Sequence, residues 1–364
     1  MQKEEKIFVT KPFKANIDEY NYYFERIFNS MVLTNQGPLL KELEDKLSNY
    51  LDVNNLHYVT NGTIALQIAL KALDIEDGEI ITTPFSYVAT TSSILWEKCT
   101  PVFADIEENN FMINPDNIEK LITKNTKAIM AVNVFGYVCD FKKIQTIADK
   151  YNLKVIYDSA HCFGSKCNGR SVLDYGDIST CSFHATKLFH TVEGGCCVIK
   201  DKEVSNKLEL IKRFGHNYDN HITLGINAKQ SEFHSAIGLV NLKYIDYIIN
   251  ERKKISQLYD KLLDGVVVLP KKQENLEYNY AYYPVLFKSE DELLKVFKKL
   301  SDNNIYPRRY FYPSLNKLPY LKTSQSCPVS ENISLRIACL PLYVGLEEEN
   351  IIKICNIIKK EVNI

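Results

Sequence analysis

Two residues that could do acid–base or covalent chemistry, a carboxylate and an amine, follow strand-like runs near the middle of the chain. Asp158 comes directly after LKVIY, and Lys187 follows STCSFH and precedes Gly194-Gly195. Read alone, Asp158 is as well explained by a helix cap or a turn, and a lysine after a strand is usually solvated. Together they are the two groups that pyridoxal phosphate needs most, a Schiff-base lysine and a carboxylate for the pyridinium nitrogen.

A phosphate and an aromatic ring would also need partners. Asn61-Gly62-Thr63 precedes a helical pattern, so it offers backbone N–H groups and a hydroxyl at the positive end of a helix. Ser182 adds a second hydroxyl, and Tyr87, after the strand-like EIITT, is suited to stack on a ring. A helix cap without a ligand, and an aromatic residue of the core, are the alternative interpretations.

The elements that would position these residues alternate between two periodicities. Helical spacing of apolar residues predicts helices over 39–51, 63–73 and 141–150. Short apolar or β-branched runs predict strands at 79–83, 101–106, 128–136, 153–160, 179–184 and 196–200. This alternation predicts an α/β fold with a mostly parallel sheet wrapped by helices.

The pattern changes after residue 230. Helical spacing dominates from 231 to 263, and 237–249 is predicted to be one long connecting helix. NYAYYPVLF (279–287) predicts a strand, DELLKVFKKL (291–300) a helix and SLRIACLPL (334–342) a second strand. We therefore expect a large domain over 1–245, with an N-terminal arm, and a small C-terminal α/β domain over 246–364.

Composition excludes several classes of protein. The 364 residues carry 44 basic and 45 acidic side chains, so no global field favours nucleic acid or a membrane surface. No apolar run reaches membrane-spanning length, and the N-terminus lacks the apolar core of a secretory signal. The ten cysteines are dispersed and form no C-x2-C pair, so we expect reduced core thiols in a cytoplasmic protein and no metal.

Taken in order, several segments resemble the DegT/DnrJ/EryC1/StrS family of sugar aminotransferases. They are TNQGP (34–38), NGTIALQIAL (61–70), TPFSYVAT (83–90), PVFADI (101–106), DSAHCFG (158–164), SFHATK with EGG (182–195), GINAKQSEFHSAIG (225–238) and CPVSENISLRIACLPLY (327–343). The resemblance covers nearly the whole chain. It implies the aspartate-aminotransferase fold (fold type I), with a seven-stranded sheet, and pyridoxal phosphate as the cofactor.

The resemblance also implies a role for each matching residue. Lys187 matches the Schiff-base lysine and general base, and Asp158 the pyridinium partner. The other matches are Tyr87 for ring stacking, Gly62, Thr63 and Ser182 for the phosphate, His161 beside the phenolic oxygen, and Asn227, which reaches the phosphate of the neighbouring subunit. The last match implies a homodimer with shared active sites.

Two segments also indicate a particular substrate. SFHATKLFHTVEGG (182–195) and YPRRYFYPSLN (306–316) resemble a subgroup that aminates C4 of dTDP-4-keto-6-deoxyglucose, with L-glutamate as the expected donor. Candidate substrate contacts are His184, Arg308, Arg309, Tyr310 and Tyr312. The alternatives are amination of a C3-keto nucleotide sugar or a small phosphorylated ketone, and a protein of this fold without aminotransferase activity. A dehydrogenase is disfavoured because no G-x-G-x-x-G follows the first strand.

Overall fold

The computed structural model describes residues 6–321 and 325–362. Its helices are α1 Ile17–Ser30, α2 Pro38–Leu51, α3 Gly62–Ala72, α4 Ala89–Trp96, α5 Pro115–Ile118, α6 Phe141–Tyr151, α7 Lys202–Ile211, α8 Glu232–Leu242, α9 Ile245–Leu262, α10 Glu290–Ser301, α11 Pro328–Arg336 and α12 Glu348–Glu361. Its strands are β1 Ile7–Phe8, β2 Leu56–Val59, β3 Glu79–Thr82, β4 Thr100–Phe103, β5 Thr126–Val132, β6 Lys154–Asp158, β7 Lys166–Cys167, β8 Arg170–Ser171, β9 Ile178–Ser182, β10 Gly195–Ile199, β11 His216–Asn217, β12 Asn220–His221, β13 Leu276–Glu277, β14 Tyr283–Leu286, β15 Ile305–Tyr306 and β16 Ile337–Leu340.

A seven-stranded sheet in the order β2-β10-β9-β6-β5-β3-β4 forms the centre of the molecule. Only β10 runs against its neighbours, so the predicted mostly parallel sheet and its strand number are confirmed. In the register, Asp158 lies opposite Val132 on one side and Thr180 on the other. The carboxyl ends of β5, β6 and β9 therefore open on one edge, where ligands bind in open α/β sheets.

Successive residues of the buried strands point to opposite faces, and each face has its own hydrophobic core. Ile80, Ala128 and Ile156 pack with α3 and α7 on one face. Ile81, Ile129 and Val155 pack with α6 on the other. Since both faces of the sheet are covered, its strands are near-continuous apolar runs rather than alternating ones.

The C-terminal region has a separate core. Strands β14 and β16 pair in antiparallel fashion, and α9, α10 and α12 pack around them through side chains such as Tyr259, Leu300 and Ile354. Strand β1 pairs with β15, so the N-terminal segment contacts this region. The domain boundary between residues 245 and 246 stays a prediction.

Several predicted elements are wrong in extent. The strand expected over 128–136 ends at Val132, because the chain turns at Phe135, whose φ is 59°. The strand expected over 279–287 is confined to Tyr283–Leu286, because Asn279 is held outside it by hydrogen bonds to the His161 and Phe163 carbonyls.

The helix expected over 237–249 is interrupted, because α8 ends at Leu242 and Tyr244 leaves helical geometry at φ −106° and ψ 1°. Lys243 and Tyr244 both bind the carboxylate of Glu19 on α1, which fixes the chain at this break. In the strand expected over 334–342, the first three residues instead end α11, where Arg336 Nε donates to Asn332 Oδ1 one turn earlier.

The cysteines carry no disulfide, and nine of the ten are buried, Cys167 being partly exposed. Among residues 6–321 and 325–362, no group of three His, Cys, Asp or Glu side chains is arranged to hold a metal ion. In the same ranges, every helix is too short or too polar to cross a membrane.

Candidate active site

A cavity of about 490 Å³ opens at the carboxyl edge of the sheet. Ten of the thirteen predicted site residues line it, namely Gly62, Thr63, Tyr87, Asp158, His161, Ser182, His184, Lys187, Arg308 and Tyr310. Asn227, Arg309 and Tyr312 do not. The cavity thus joins residues of the central sheet with residues of the segment that follows β15.

The carboxylate of Asp158 is held at the end of β6. Thr90 Oγ1 of α4 donates to Oδ2 at 2.7 Å, and the Ala160 N–H donates to Oδ1 at 3.2 Å. Burial raises the pKa of Asp158, while these two hydrogen bonds and the charge of Lys187 oppose the rise. A buried carboxylate of this kind is stabilised by a cation in the cavity, such as a protonated pyridine nitrogen.

Lys187 lies on the loop between β9 and β10, where its backbone N–H donates to the His184 carbonyl at 2.8 Å. Its Nζ donates to the Tyr282 hydroxyl at 3.4 Å. Burial lowers the pKa of Lys187, and Asp158 opposes that shift. An amine with a lowered pKa is more often neutral near pH 7, which a nucleophile or a general base requires.

His161 is neutral in this environment, because burial holds its pKa well below the usual range and Lys187 adds to the effect. Its Nδ1 accepts a hydrogen bond from the Phe135 N–H at 3.0 Å, which assigns the ring proton to Nε2. The imidazole is stacked with Phe311, at 5.8 Å between ring centroids and 8° between planes. His161 therefore offers a fixed N–H donor rather than a charge.

The start of α3 forms a cradle of the kind that holds an anion. Asn61 caps the helix by accepting the Ile64 N–H at 2.9 Å, and the first N–H groups of a helix have no partner within it. A side chain at Gly62 would place its Cβ 2.9 Å from Ser182 Cβ, and one at Gly195 would place it 2.7 Å from the Asn61 carbonyl carbon. Only glycine permits this close approach of strands and helix start, which leaves backbone donors and the Thr63 and Ser182 hydroxyls around one point.

The mouth of the cavity, formed by Tyr87, His184, Arg308 and Tyr310, is more exposed than Asp158 and His161, which are buried. Tyr87 is 59 % exposed, and His184 Nε2 lies 3.5 Å from the Glu193 carboxylate. The exposed Arg308 has its guanidinium 5.6 Å from the centre of the Tyr310 ring. Arg309 instead pairs with Glu290 at 2.8 Å and stacks over Tyr312 at 3.6 Å, outside the cavity.

Asn227 lies beyond α7, where it pairs with Arg213 through an isolated β-bridge, and its side chain is exposed. The nearby apolar side chains Phe214, Ile222, Leu224 and Ile226 are also exposed. Asn227 is therefore positioned on an outer surface of this chain.

The sequence reasoning did not assign roles to some residues of the cavity. Thr90 lies inside the TPFSYVAT motif but received no role, and Tyr282 lies in a segment that was interpreted only as a strand. Asn133, Phe311 and Glu193 also line the cavity. A pattern along the chain gives little signal for them, because each acts through a partner distant in sequence.

The donor set fits pyridoxal phosphate. An amine of lowered pKa, a buried carboxylate, a neutral imidazole donor and a helix-start cradle match the four parts of that cofactor that a protein must hold. Fold and site together define a pyridoxal-phosphate-dependent enzyme of the aspartate-aminotransferase fold type.

Within this class, the chain belongs to the DegT/DnrJ/EryC1/StrS aminotransferase family, whose model matches residues 15–359. The family confirms the expectation of a pyridoxal-phosphate-dependent sugar aminotransferase. The resemblance seen in the sequence is therefore confirmed over nearly the whole chain.

Named relatives and solved structures agree with this assignment. The chain is 39% identical over 356 residues to a dTDP-4-amino-4,6-dideoxy-D-glucose transaminase of Shigella dysenteriae, covering 95% of this chain and 96% of that protein. It is 32% identical to a GDP-perosamine synthase of Escherichia coli O157:H7, over 93% of this chain and 94% of that protein. Among solved structures, DesI with its TDP-sugar product superposes with a TM-score of 0.93 at 25% identity, covering 99% of this chain and 93% of that one. The PMP form of a putative sugar aminotransferase from Streptococcus pneumoniae gives 0.92 at 25% identity, with coverages of 99% and 98%.

Proposed function

We propose that the protein transfers the amino group of L-glutamate to C4 of dTDP-4-keto-6-deoxy-D-glucose. The product is dTDP-4-amino-4,6-dideoxy-D-glucose, a precursor for an O-antigen or another surface glycan. The choice of this sugar rests on the 39% identity, over 95% of the chain, to a transaminase named for that product. The GDP-perosamine synthase, at 32%, supports amination of a nucleotide sugar but differs in its nucleotide.

The bound pyridoxal phosphate supplies an electron sink for the carbon that loses or gains the amino group. Lys187 Nζ holds the cofactor and, once released, takes a proton from the α-carbon of glutamate and returns one to the sugar carbon. Asp158 keeps the ring nitrogen protonated, because a buried carboxylate stabilises a cation beside it. His161 donates to the phenolic oxygen through Nε2, and Tyr87 covers one face of the ring. Gly62, Thr63 and Ser182 hold the phosphate at the start of α3.

The mouth of the cavity provides the proposed sugar-nucleotide contacts. Arg308 has no carboxylate within salt-bridge distance in the described part of the chain, so its charge is available for a diphosphate. Tyr310 is beside it, and His184 lines the same cavity. Arg309 and Tyr312 support this segment from behind, because the Arg309 guanidinium is already engaged by Glu290 and by the Leu335 carbonyl at 2.8 Å.

The substrate is tested by giving the purified protein a panel of nucleotide keto sugars with glutamate, and identifying products by mass and NMR. We expect the dTDP-4-keto-6-deoxyglucose substrate to give the highest kcat/KM and an amino group at C4. A preference for a GDP-linked or a C3-keto sugar would reject the proposed substrate but keep the enzyme class. Arg308→Ala should raise KM for the sugar nucleotide about tenfold, as for loss of one charged hydrogen bond, and should leave the glutamate half-reaction unchanged.

We further propose a homodimer in which Asn227 reaches the phosphate site of the neighbouring subunit. The exposed apolar residues on both sides of β11 and β12 support a protein partner for this segment. Mixing inactive Lys187→Ala protein with Asn227→Asp protein tests the sharing of sites. Mixed dimers would regain one intact site if the two residues come from different subunits, whereas no recovery after subunit exchange would reject the shared site.

A further inference from the structure

The amine of Lys187 makes a single hydrogen bond within residues 6–321 and 325–362, and its partner is a tyrosine from the C-terminal region. Nζ donates to the Tyr282 hydroxyl at 3.4 Å and lies 5.8 Å from the centre of that ring. Both residues line the same cavity, although 95 positions separate them in sequence. A hydroxyl of the segment before β14 thus touches the amine carried by the loop after β9.

The position of Tyr282 is fixed from several sides. The Tyr278 hydroxyl donates to its backbone carbonyl at 2.9 Å, and its ring packs on His161 at 4.7 Å between centroids. Arg252 of α9, itself buried, donates Nε to the Tyr280 carbonyl at 2.8 Å and Nη2 to the Ala281 carbonyl. The buried guanidinium of Arg252 thus fixes the backbone just before Tyr282, and the contact with His161 positions the Tyr282 ring within the cavity.

The hydroxyl stays neutral throughout the working range of the enzyme. Burial raises the pKa of Tyr282 well above that of a free tyrosine, with the charge of Arg252 opposing only part of the rise. A neutral hydroxyl oxygen accepts an N–H bond from an amine or an ammonium alike. When it accepts from the neutral amine, the nitrogen lone pair remains free for a proton from carbon.

We propose that Tyr282 is a positioning residue that holds the Lys187 amine whenever that amine is not bound to the cofactor. This inference rests on the role proposed for Lys187. In each half-reaction Lys187 takes one proton from carbon, becomes an ammonium and returns one proton to carbon. Tyr282 neither gains nor loses a proton; its oxygen accepts an N–H bond before and after the transfer, so the amine does not have to be relocated between the two steps.

Tyr282→Phe tests the proposal because it keeps the ring against His161 and removes only the oxygen. The protein is prepared in its pyridoxamine-phosphate form, in which Lys187 is free, and labelled with acetic anhydride over a range of pH. Mass spectrometry of the Lys187 peptide then gives the titration midpoint of the amine. Tyr157→Phe is the matched control, because the Tyr157 hydroxyl is buried without a hydrogen-bond partner among the described residues and lies outside this cavity.

Loss of the acceptor removes stabilisation from the ammonium, so the midpoint of Tyr282→Phe should move to lower pH by about half a unit to one unit. The rate of the glutamate half-reaction should fall about three- to tenfold, while Tyr157→Phe leaves both quantities unchanged. An unchanged midpoint would overturn the proposal, even with a slower rate, because that outcome is a packing effect. If wild-type protein is not bleached by glutamate at all, the proposed amino donor fails instead, and if Lys187→Ala is bleached normally, the proposed role of Lys187 fails.

A second variant covers the case in which Tyr282→Phe does not fold. Replacement of Tyr282 by 4-fluorophenylalanine keeps the ring and puts fluorine, a weaker acceptor that cannot ionise, in the place of the hydroxyl. The same labelling should show a shift in the same direction but smaller. A midpoint equal to that of the wild type would overturn the proposal independently of the first variant.

Discussion

Burial acts against the charge of both Lys187 and Lys212, but different groups surround the two amines. Lys212, 1% exposed, has two carboxylates at its Nζ, Glu209 at 2.8 Å and Glu44 at 3.2 Å. Burial opposes its charge, but these two carboxylates outweigh burial and raise the pKa of Lys212. Around Lys187 the balance is reversed: burial lowers the pKa, and the one opposing carboxylate, Asp158, is already engaged by Thr90 and Ala160.

The difference shows that burial alone does not decide what a lysine does. Two carboxylates in direct contact keep an ammonium charged, and the resulting cluster ties α7 to α2. One shared carboxylate and a hydroxyl do not offset burial at Lys187, so its amine loses a proton more readily than an ordinary lysine does. We therefore expect substitutions at Lys187 to affect chemistry and substitutions at Lys212 to affect stability.

The largest effect on turnover is expected from Lys187→Ala. Removal of the proton-transferring amine should slow both half-reactions by about 10³-fold or more, while the protein still folds and retains cofactor through the phosphate cradle. Stopped-flow absorbance after addition of glutamate measures the first half-reaction. Near-normal bleaching of the visible band in this variant would reject the role assigned to Lys187.

Asp158→Asn separates charge from hydrogen bonding in the same cavity. The amide keeps the size of the carboxylate and an acceptor oxygen, but the ring nitrogen loses its counter-charge. We expect turnover to fall by about 10²-fold or more, in the range of lost electrostatic stabilisation. The free energy of unfolding of the cofactor-free protein should also fall, by about 1–3 kcal/mol, because the amide oxygen can accept only one of the two hydrogen bonds from Thr90 and Ala160. Asp158→Ala serves as the comparison, and equal turnover in Asp158→Asn and wild type would show that the charge is not needed.

The surroundings of Lys187 can be predicted from the sequence far better than those of Lys212. Asp158 and Lys187 could be brought together from sequence because both follow strands of a parallel sheet, and the carboxyl ends of such strands share an edge. Lys212 receives no role from the sequence, because its partner Glu44 is 168 residues away. Tyr282 and the break between α8 and α9 escape sequence reasoning for the same reason: each depends on one distant contact, with Lys187 and with Glu19 respectively.

Lys212→Met should lower stability and leave the chemistry intact. Breaking a buried ion pair by removing one partner costs about 3 kcal/mol at the lower end of the usual range, and the lower end applies because Glu44 and Glu209 keep some access to water. Urea unfolding of the cofactor-free protein measures the loss. Lys46→Met, at an exposed pair with Glu42, is the matched control and should cost less than about 1 kcal/mol. A variant as stable as the control would show that the two carboxylates do not stabilise the fold through Lys212.

The smallest and most specific effect concerns how the free energy of unfolding falls at low pH. Burial alone would raise the pKa of Glu209, but the His57 hydrogen bond and Lys212 outweigh it and lower the pKa to about 2. A carboxylate whose pKa is depressed on folding contributes stability that is complete above its unfolded pKa and is lost as pH falls through the folded value. The difference in unfolding free energy between wild type and Glu209→Gln should therefore be constant above about pH 5 and shrink between about pH 4.5 and pH 2.

Measuring both proteins at each pH cancels the contribution of carboxylates that do not interact with Glu209, so the shape of this difference reports Glu209 together with its partners His57 and Lys212. Glu349→Gln, on the first turn of α12, is a control at a carboxylate that makes no ion pair within the described residues. Glu349→Gln gives the baseline with which the curve for Glu209→Gln is compared. A difference for Glu209→Gln that does not shrink below about pH 4.5 would mean that Glu209 is not held ionised by Lys212, and the contrast between the two lysines would then rest on burial after all.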